Sequence, residues 1–147
     1  MDTFDKNYFL TAGENILDNE NGLRKIQREA YIEICNHFLI KKSTDHAVAI
    51  LPTGSGKTGV MAISPYGIAR GRVLIITPQL VIKDHVLDSL DPSNVNNFWL
   101  RHNILQNFEE LPKVVEYDKD TFIEELIESN IVILNIHKLQ QRLRSTL

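Results

Sequence analysis

The stretch His46-Ala47-Val48-Ala49-Ile50-Leu51-Pro52-Thr53-Gly54-Ser55-Gly56-Lys57-Thr58 decides how this chain is read. Its first six residues form an apolar run of strand length, of the kind that suits a strand buried on both faces. The run leads straight into a glycine-rich loop. A helix is expected next, through Val60, Met61, Ile63 and Ile68, kinked or shortened at Pro65. A loop that leaves a buried strand and opens a helix exposes several backbone N–H groups together, which suits a polyphosphate. Gly54 and Gly56 allow positive φ and let the backbone approach phosphate oxygens without a Cβ in the way. Lys57 brings one mobile charge to the β- and γ-phosphates, and Thr58 offers a hydroxyl to Mg²⁺. Leu51 stands at the head of the loop, where Gly or Ala is usual. The bland alternative is a strand-to-helix turn without a ligand. Strand, loop and helix support one another here, so Pro52, Thr53, Gly54, Ser55, Gly56, Lys57 and Thr58 are expected to bind a nucleotide.

Outward from the loop, strands and helices alternate. Upstream, Leu23, Ile26, Ala30, Ile34 and Phe38 share one helical face, with Arg24, Arg28 and Glu29 off it. Downstream, Val73-Leu74-Ile75-Ile76 reads as a buried strand closed by Thr77-Pro78, with a helix over 80–90. Residues 91–112 are the least legible; Asp91-Pro92-Ser93-Asn94 is a turn, and the part around Trp99 is loop or short helix. Val114-Val115-Glu116-Tyr117 suggests a short strand. A helix is expected over 121–129, with Thr121 and Glu124 at capping-box spacing and Phe122, Ile123, Leu126 and Ile127 as its apolar face. Ile131-Val132-Ile133-Leu134 is the third strong strand. This alternation implies an α/β fold, a three-layer arrangement with a parallel sheet between two helical layers. Residues 1–22, with a turn at Asp18-Asn19-Glu20-Asn21-Gly22, read as a polar lead-in, and 23–147 as the domain proper.

Composition sets looser bounds. With 147 residues, 43% hydrophobic and 24% charged, one compact domain is expected. No apolar run approaches the ~18 residues of a membrane span, and the acidic, polar N-terminus lacks the pattern of a secretory signal. A single cysteine, Cys35, excludes an internal disulfide and fits a reducing cytoplasm. The net charge of -3 argues against coating nucleic acid by bulk charge, yet leaves room for a local track of phosphate contacts. His37, His46, His85, His102 and His137 show no ligand spacing, so no zinc site is expected. Glu124, Glu125 and Glu128 read as a solvated helix face. Trp99 reads as a packing aromatic first and a base-stacking residue second.

The flanks of the loop carry a resemblance. Leu23-Arg24-Lys25-Ile26-Gln27-Arg28-Glu29-Ala30, upstream of the 52–58 loop, resembles the Q-motif helix of superfamily 2 helicases and translocases of the DEAD/DEAH-box kind. It is most similar to the branch that holds the motor subunits of type I and type III restriction enzymes. The resemblance implies a RecA-like domain in which Gln27 reads adenine, since one carboxamide can donate and accept together. Residues 73–79 resemble motif Ia, which implies that Thr77, Pro78 and Gln79 line a nucleic-acid track. Thr77 also suits a helix N-cap, with Pro78 at the first helical position. Residues 131–139 resemble the following strand-and-turn motif, with Asn135 where threonine is usual and able to donate to phosphate. ATP and Mg²⁺ are the implied cofactors. The implied partners are nucleic acid, DNA ahead of RNA, a second RecA-like domain, and subunits of a restriction or defence complex.

Hydrolysis needs more than a cradle: a carboxylate for Mg²⁺ and a residue that positions water. In the resembled family an Asp-Glu pair on a later strand supplies both, and no Asp-Glu dipeptide occurs in this sequence. The chain is therefore read as part of a longer motor, with Lys57 its one catalytic side chain, binding ATP without turning it over. Two rivals stand beside that reading. One is a degenerate, non-catalytic nucleotide-binding scaffold. The other, a P-loop kinase or GTPase, is disfavoured by the Gln27 helix and by the lack of an Asn-Lys-x-Asp motif.

Overall fold

The computed structural model describes residues 4–14, 16–18 and 20–146. Residues 1–3 of the acidic N-terminal stretch and Asn19 of the expected turn lie outside them. The chain opens with a short helix, α1 (Tyr8–Thr11), and then α2 (Lys25–Cys35), which runs on into a π-helical turn (Asn36–Ile40). After the glycine-rich loop come α3 (Lys57–Ile63), β1 (Val73–Thr77) and α4 (Leu80–Leu90). Next are α5 (Phe98–Arg101), β2 (Val114–Glu116), α6 (Ile123–Glu128), β3 (Ile131–Asn135) and α7 (Ile136–Thr146).

The three strands form one parallel sheet in the order β1-β3-β2. Val73 pairs with Ile131 and Thr77 with Asn135, so β1 and β3 end level with each other; on the other side Glu116 pairs with Ile133. All five residues of the central strand β3 are buried, as its unbroken apolar run requires. α4 packs on β1 and β3 through Val86 and Leu90, and α3 lies between α2 and α4. Ala62, Ile63, Ile75, Ile131 and Ile133 meet in this core. The lead-in segment joins it too, through Phe9 and Ile16. Tyr8 of that segment shares a hydrogen bond with the Tyr66 hydroxyl at 2.8 Å and donates to Glu110 O at 2.6 Å.

Four expectations change in the folded chain. The apolar run 46–51 is extended but, among the described residues, no strand pairs with it, and Val48 and Ile50 are 84% and 91% exposed. It lies instead along an open groove beside Ile26, Ala30 and Ile34, the stripe expected to face the core from α2. The most buried positions of α2 are Gln27 and Tyr31, one helical turn apart, because that face meets the loop and α3. Burial here follows polar partners rather than hydrophobicity. The helix over 121–129 shortens to α6, and its expected apolar face stays in solvent at Phe122, Ile123 and Ile127. Thr121 does not cap it; its hydroxyl donates to Glu116 O and accepts from Asp118 N, closing the turn after β2. Pro65 ends α3 early, and residues 64–68 continue as turns.

Candidate functional site

Residues 52–58 form a compact loop whose shape follows from its two glycines. Ser55 N donates to Pro52 O at 3.2 Å and Ser55 Oγ to the same oxygen at 2.6 Å, closing a turn with Gly54 (φ +77°) at its third position. A positive φ there is what a type II turn demands. Gly56 is also left-handed (φ +91°) and precedes the first residue of α3; its carbonyl accepts from Gly59 N and Val60 N. Nothing lies within 4 Å of the position a Cβ would take at Gly54, so the mouth of the loop is open there. Lys57 is exposed at the start of α3 and Thr58 is half-buried beside it. An open loop with two glycines, an exposed ammonium and a hydroxyl in sequence fits a Mg²⁺-bound polyphosphate.

α2 braces this loop. Gln27 is buried and its carboxamide is engaged at both ends. Nε2 donates to Gly56 O at 3.0 Å, and Oε1 accepts from Arg24 N at 2.9 Å, which satisfies one of the free N–H groups at the start of α2. Arg24 reaches further and donates from Nη1 to Gly54 O at 2.7 Å. One N–H and one lone pair of Gln27 remain beyond these two bonds.

Gly59 and Phe98, which the sequence did not single out, complete the support together with Trp99, expected first as a packing aromatic. A Cβ at Gly59 would sit 2.6 Å from the Phe98 ring and would also meet Gln27, so the loop helix needs glycine at that point. Trp99 is wholly buried, and its Nε1 donates to Ala62 O at 3.2 Å. Helix α5 of the opaque stretch 91–112 thus packs beneath α3. Only the adjacent aromatic pair Phe98-Trp99 hinted at that in the sequence.

The second group of expected site residues lies at the ends of β1 and β3. Thr77 and Asn135 are buried and bonded inside the protein. Asn135 Nδ2 donates to Thr77 O at 3.3 Å and its Oδ1 accepts from His137 N at 2.9 Å, while Thr77 Oγ1 donates to Leu134 O at 3.4 Å. These side chains lash two adjacent strand ends together. Thr77 is not a helix cap, since α4 begins at Leu80 with Gln79 as its N-cap. Pro78 and Gln79 are exposed.

Near these strand ends lies an ionic cluster. Lys83, in the first turn of α4, is buried and bonded to Glu116 Oε1, with Asp84 Oδ1 at 3.0 Å. Lys138 of α7 stands 3.9 Å from the same Glu116 oxygen. The hydrogen bond to Glu116 raises the Lys83 pKa; burial opposes the rise, and Asp84 adds to it.

A three-stranded parallel sheet with helices, and a glycine-rich loop opening α3 that a glutamine braces, is the arrangement of a truncated RecA-like domain. The family model described as type III restriction enzyme, res subunit, matches residues 20–147, so this chain belongs to that family and represents its helicase-like N-terminal part. Members are helicase-like, ATP-dependent restriction enzyme subunits that generally use ATP with Mg²⁺. No match emerges among curated proteins or among solved structures. Among the described residues, no helix is long and apolar enough to cross a membrane.

Proposed function

We propose that this chain is the ATP-binding portion of an ATP-dependent nucleic-acid motor that runs on DNA within a restriction or defence system. The observation that carries the reading is the bond from Gln27 to Gly56, which ties the Gln27 carboxamide to the glycine-rich loop. Gly54 to Thr58 hold the phosphates, Lys57 neutralises the β- and γ-oxygens, and Thr58 takes Mg²⁺. The remaining N–H and lone pair of Gln27 meet the adenine edge. Mg²⁺, when bound, spreads the negative charge of the triphosphate. The exposed Pro78 and Gln79 border the polymer, together with the backbone at the starts of α4 and α7. With their side chains committed inside the protein, Thr77 and Asn135 act by shaping that border.

The same reading holds that this chain binds ATP without hydrolysing it. No Asp-Glu dipeptide occurs in the sequence, and the exposed run 46–51, which no strand pairs with among the described residues, supports a sheet that is completed by strands from elsewhere. A second RecA-like domain and partner subunits would then supply the rest of the machine. The test is a titration of the chain with fluorescent ATP and GTP analogues, next to turnover assays with single-stranded DNA, duplex DNA and RNA. ATP binding in preference to GTP, abolished by Lys57→Ala, is expected, with no turnover above the Lys57→Ala background. Equal affinity for both nucleotides would remove the adenine role of Gln27. Turnover by the purified chain would remove the claim of inactivity.

A further inference from the structure

Glu116 occupies a singular position at the carboxyl end of the sheet. Thr77 and Asn135 tie the ends of β1 and β3 at strand level. Level with Ile133, two residues before Asn135, a single oxygen of Glu116 at the end of edge strand β2 faces two lysines from two different helices. Lys83 lies in the first turn of α4, where its N donates to Gln79 O, and Lys138 is the third residue of α7. The Lys83 side chain keeps only 9% of its surface exposed. A buried ammonium is costly to desolvate, and an apolar residue would fill that space without the penalty. What the ion cluster adds over an apolar contact is direction. It holds two helix starts at a set distance from one carboxylate.

We propose that Glu116 is a positioning residue for nucleic-acid binding, setting the spacing between the starts of α4 and α7 through Lys83 and Lys138. The inference rests on the reading of those two helix starts as the border of the polymer track. Charge alone makes the opposite prediction from positioning. Glu116→Gln deletes a negative charge beside two lysines, and simple electrostatics would then tighten binding of a polyanion. Positioning requires that binding weaken.

The experiment measures affinity of the whole chain for a labelled single-stranded DNA oligonucleotide by fluorescence anisotropy, over the same series of salt concentrations for every variant, with a fluorescent ATP analogue as control. Glu116→Gln is expected to weaken DNA binding about threefold or more, with ATP-analogue affinity unchanged. Lys138→Met removes the arm to α7, together with the attraction of Lys138 to Asp118, and decides the matter if Glu116→Gln does not fold. It too should weaken DNA binding. It should do so by more than a single phosphate contact loses, and without flattening the salt dependence by the step of about one that such a contact contributes. DNA affinity that stays level or rises in Glu116→Gln overturns the inference while the track reading stands. A wild-type chain that binds the ATP analogue but no DNA overturns both.

Discussion

Nε2 of Gln27 donates to the carbonyl of Gly56, 29 residues away in the chain, while Oε1 of the same carboxamide accepts from Arg24 N. The two bonds fix which end of the amide is oxygen, since Gly56 O can only accept and Arg24 N can only donate. Gln27 is therefore a strut as well as a candidate base reader. Its burial explains why a polar residue occupies the most protected face of α2. Arg24, bonded to Gly54 O, repeats the bracing one residue pair earlier in the loop.

Alanine at the two loop glycines should separate conformation from crowding. Each substitution places a side chain in the left-handed region, at a cost of about 1–2 kcal/mol. Gly54→Ala meets open space and should lose roughly that much stability. Gly56→Ala would push against Gln27 as well, breaking its bond to the loop and adding about 1–3 kcal/mol. Urea denaturation of both variants reads the difference. Equal losses would mean that Gln27 yields freely and does not brace the loop.

Trp99 should behave as a foundation of the loop helix. Trp99→Ala is expected to cost about 3–5 kcal/mol, through lost packing and a cavity beneath α3. It is the sole tryptophan, so its emission reports this one site. In the native chain the emission should be blue-shifted, and oligonucleotide should leave it unquenched. Quenching on addition of DNA would return the residue to the base-stacking role.

Stability should fall at alkaline pH through the tyrosines. Burial raises the Tyr66 pKa well above its ordinary 10.0, with the neighbouring Tyr8 adding to the effect. Burial likewise raises Tyr8 and Tyr31. A pKa raised in the folded state means that the native chain holds protons the unfolded chain releases. Their contribution is complete below pH 10.0 and is lost as pH climbs from there towards the folded values. Melting temperature should hold level up to about pH 9 and drop by about pH 11. Tyr66→Phe should soften that drop, because the hydroxyl that resists ionisation is gone. An unchanged drop would place the alkaline transition elsewhere.

The local chemistry of this chain is written in contiguous residues. Gly54, Gly56, Lys57 and Thr58 carry loop conformation and charge within five positions, and near-neighbour sterics and hydrogen bonding decide such a loop wherever it sits. The apolar runs 73–76 and 131–134 likewise read as buried strands, and the structure pairs them parallel and in register. Only β3 is buried throughout, while β1 leaves Leu74 and Ile76 exposed on one face. The short helical motif around Gln27 pointed to this loop as well, and Gln27 does bond to Gly56 within it.

Tertiary structure alone decided what each surface would meet. The run 46–51 is as apolar as the other strands, yet a strand is buried only where neighbours cover it, and among the described residues none pairs with it. Phe122, Ile123 and Ile127 have a helical spacing that promises a core face, and the fold leaves them in solvent. Thr77 and Asn135 can bind phosphate as isolated residues, but the level ends of β1 and β3 turn them towards each other. Glu116 and its two lysines come from separate elements, and no local pattern links them. Propensity and periodicity act over a few residues, whereas burial and pairing depend on which distant segments arrive at the same place.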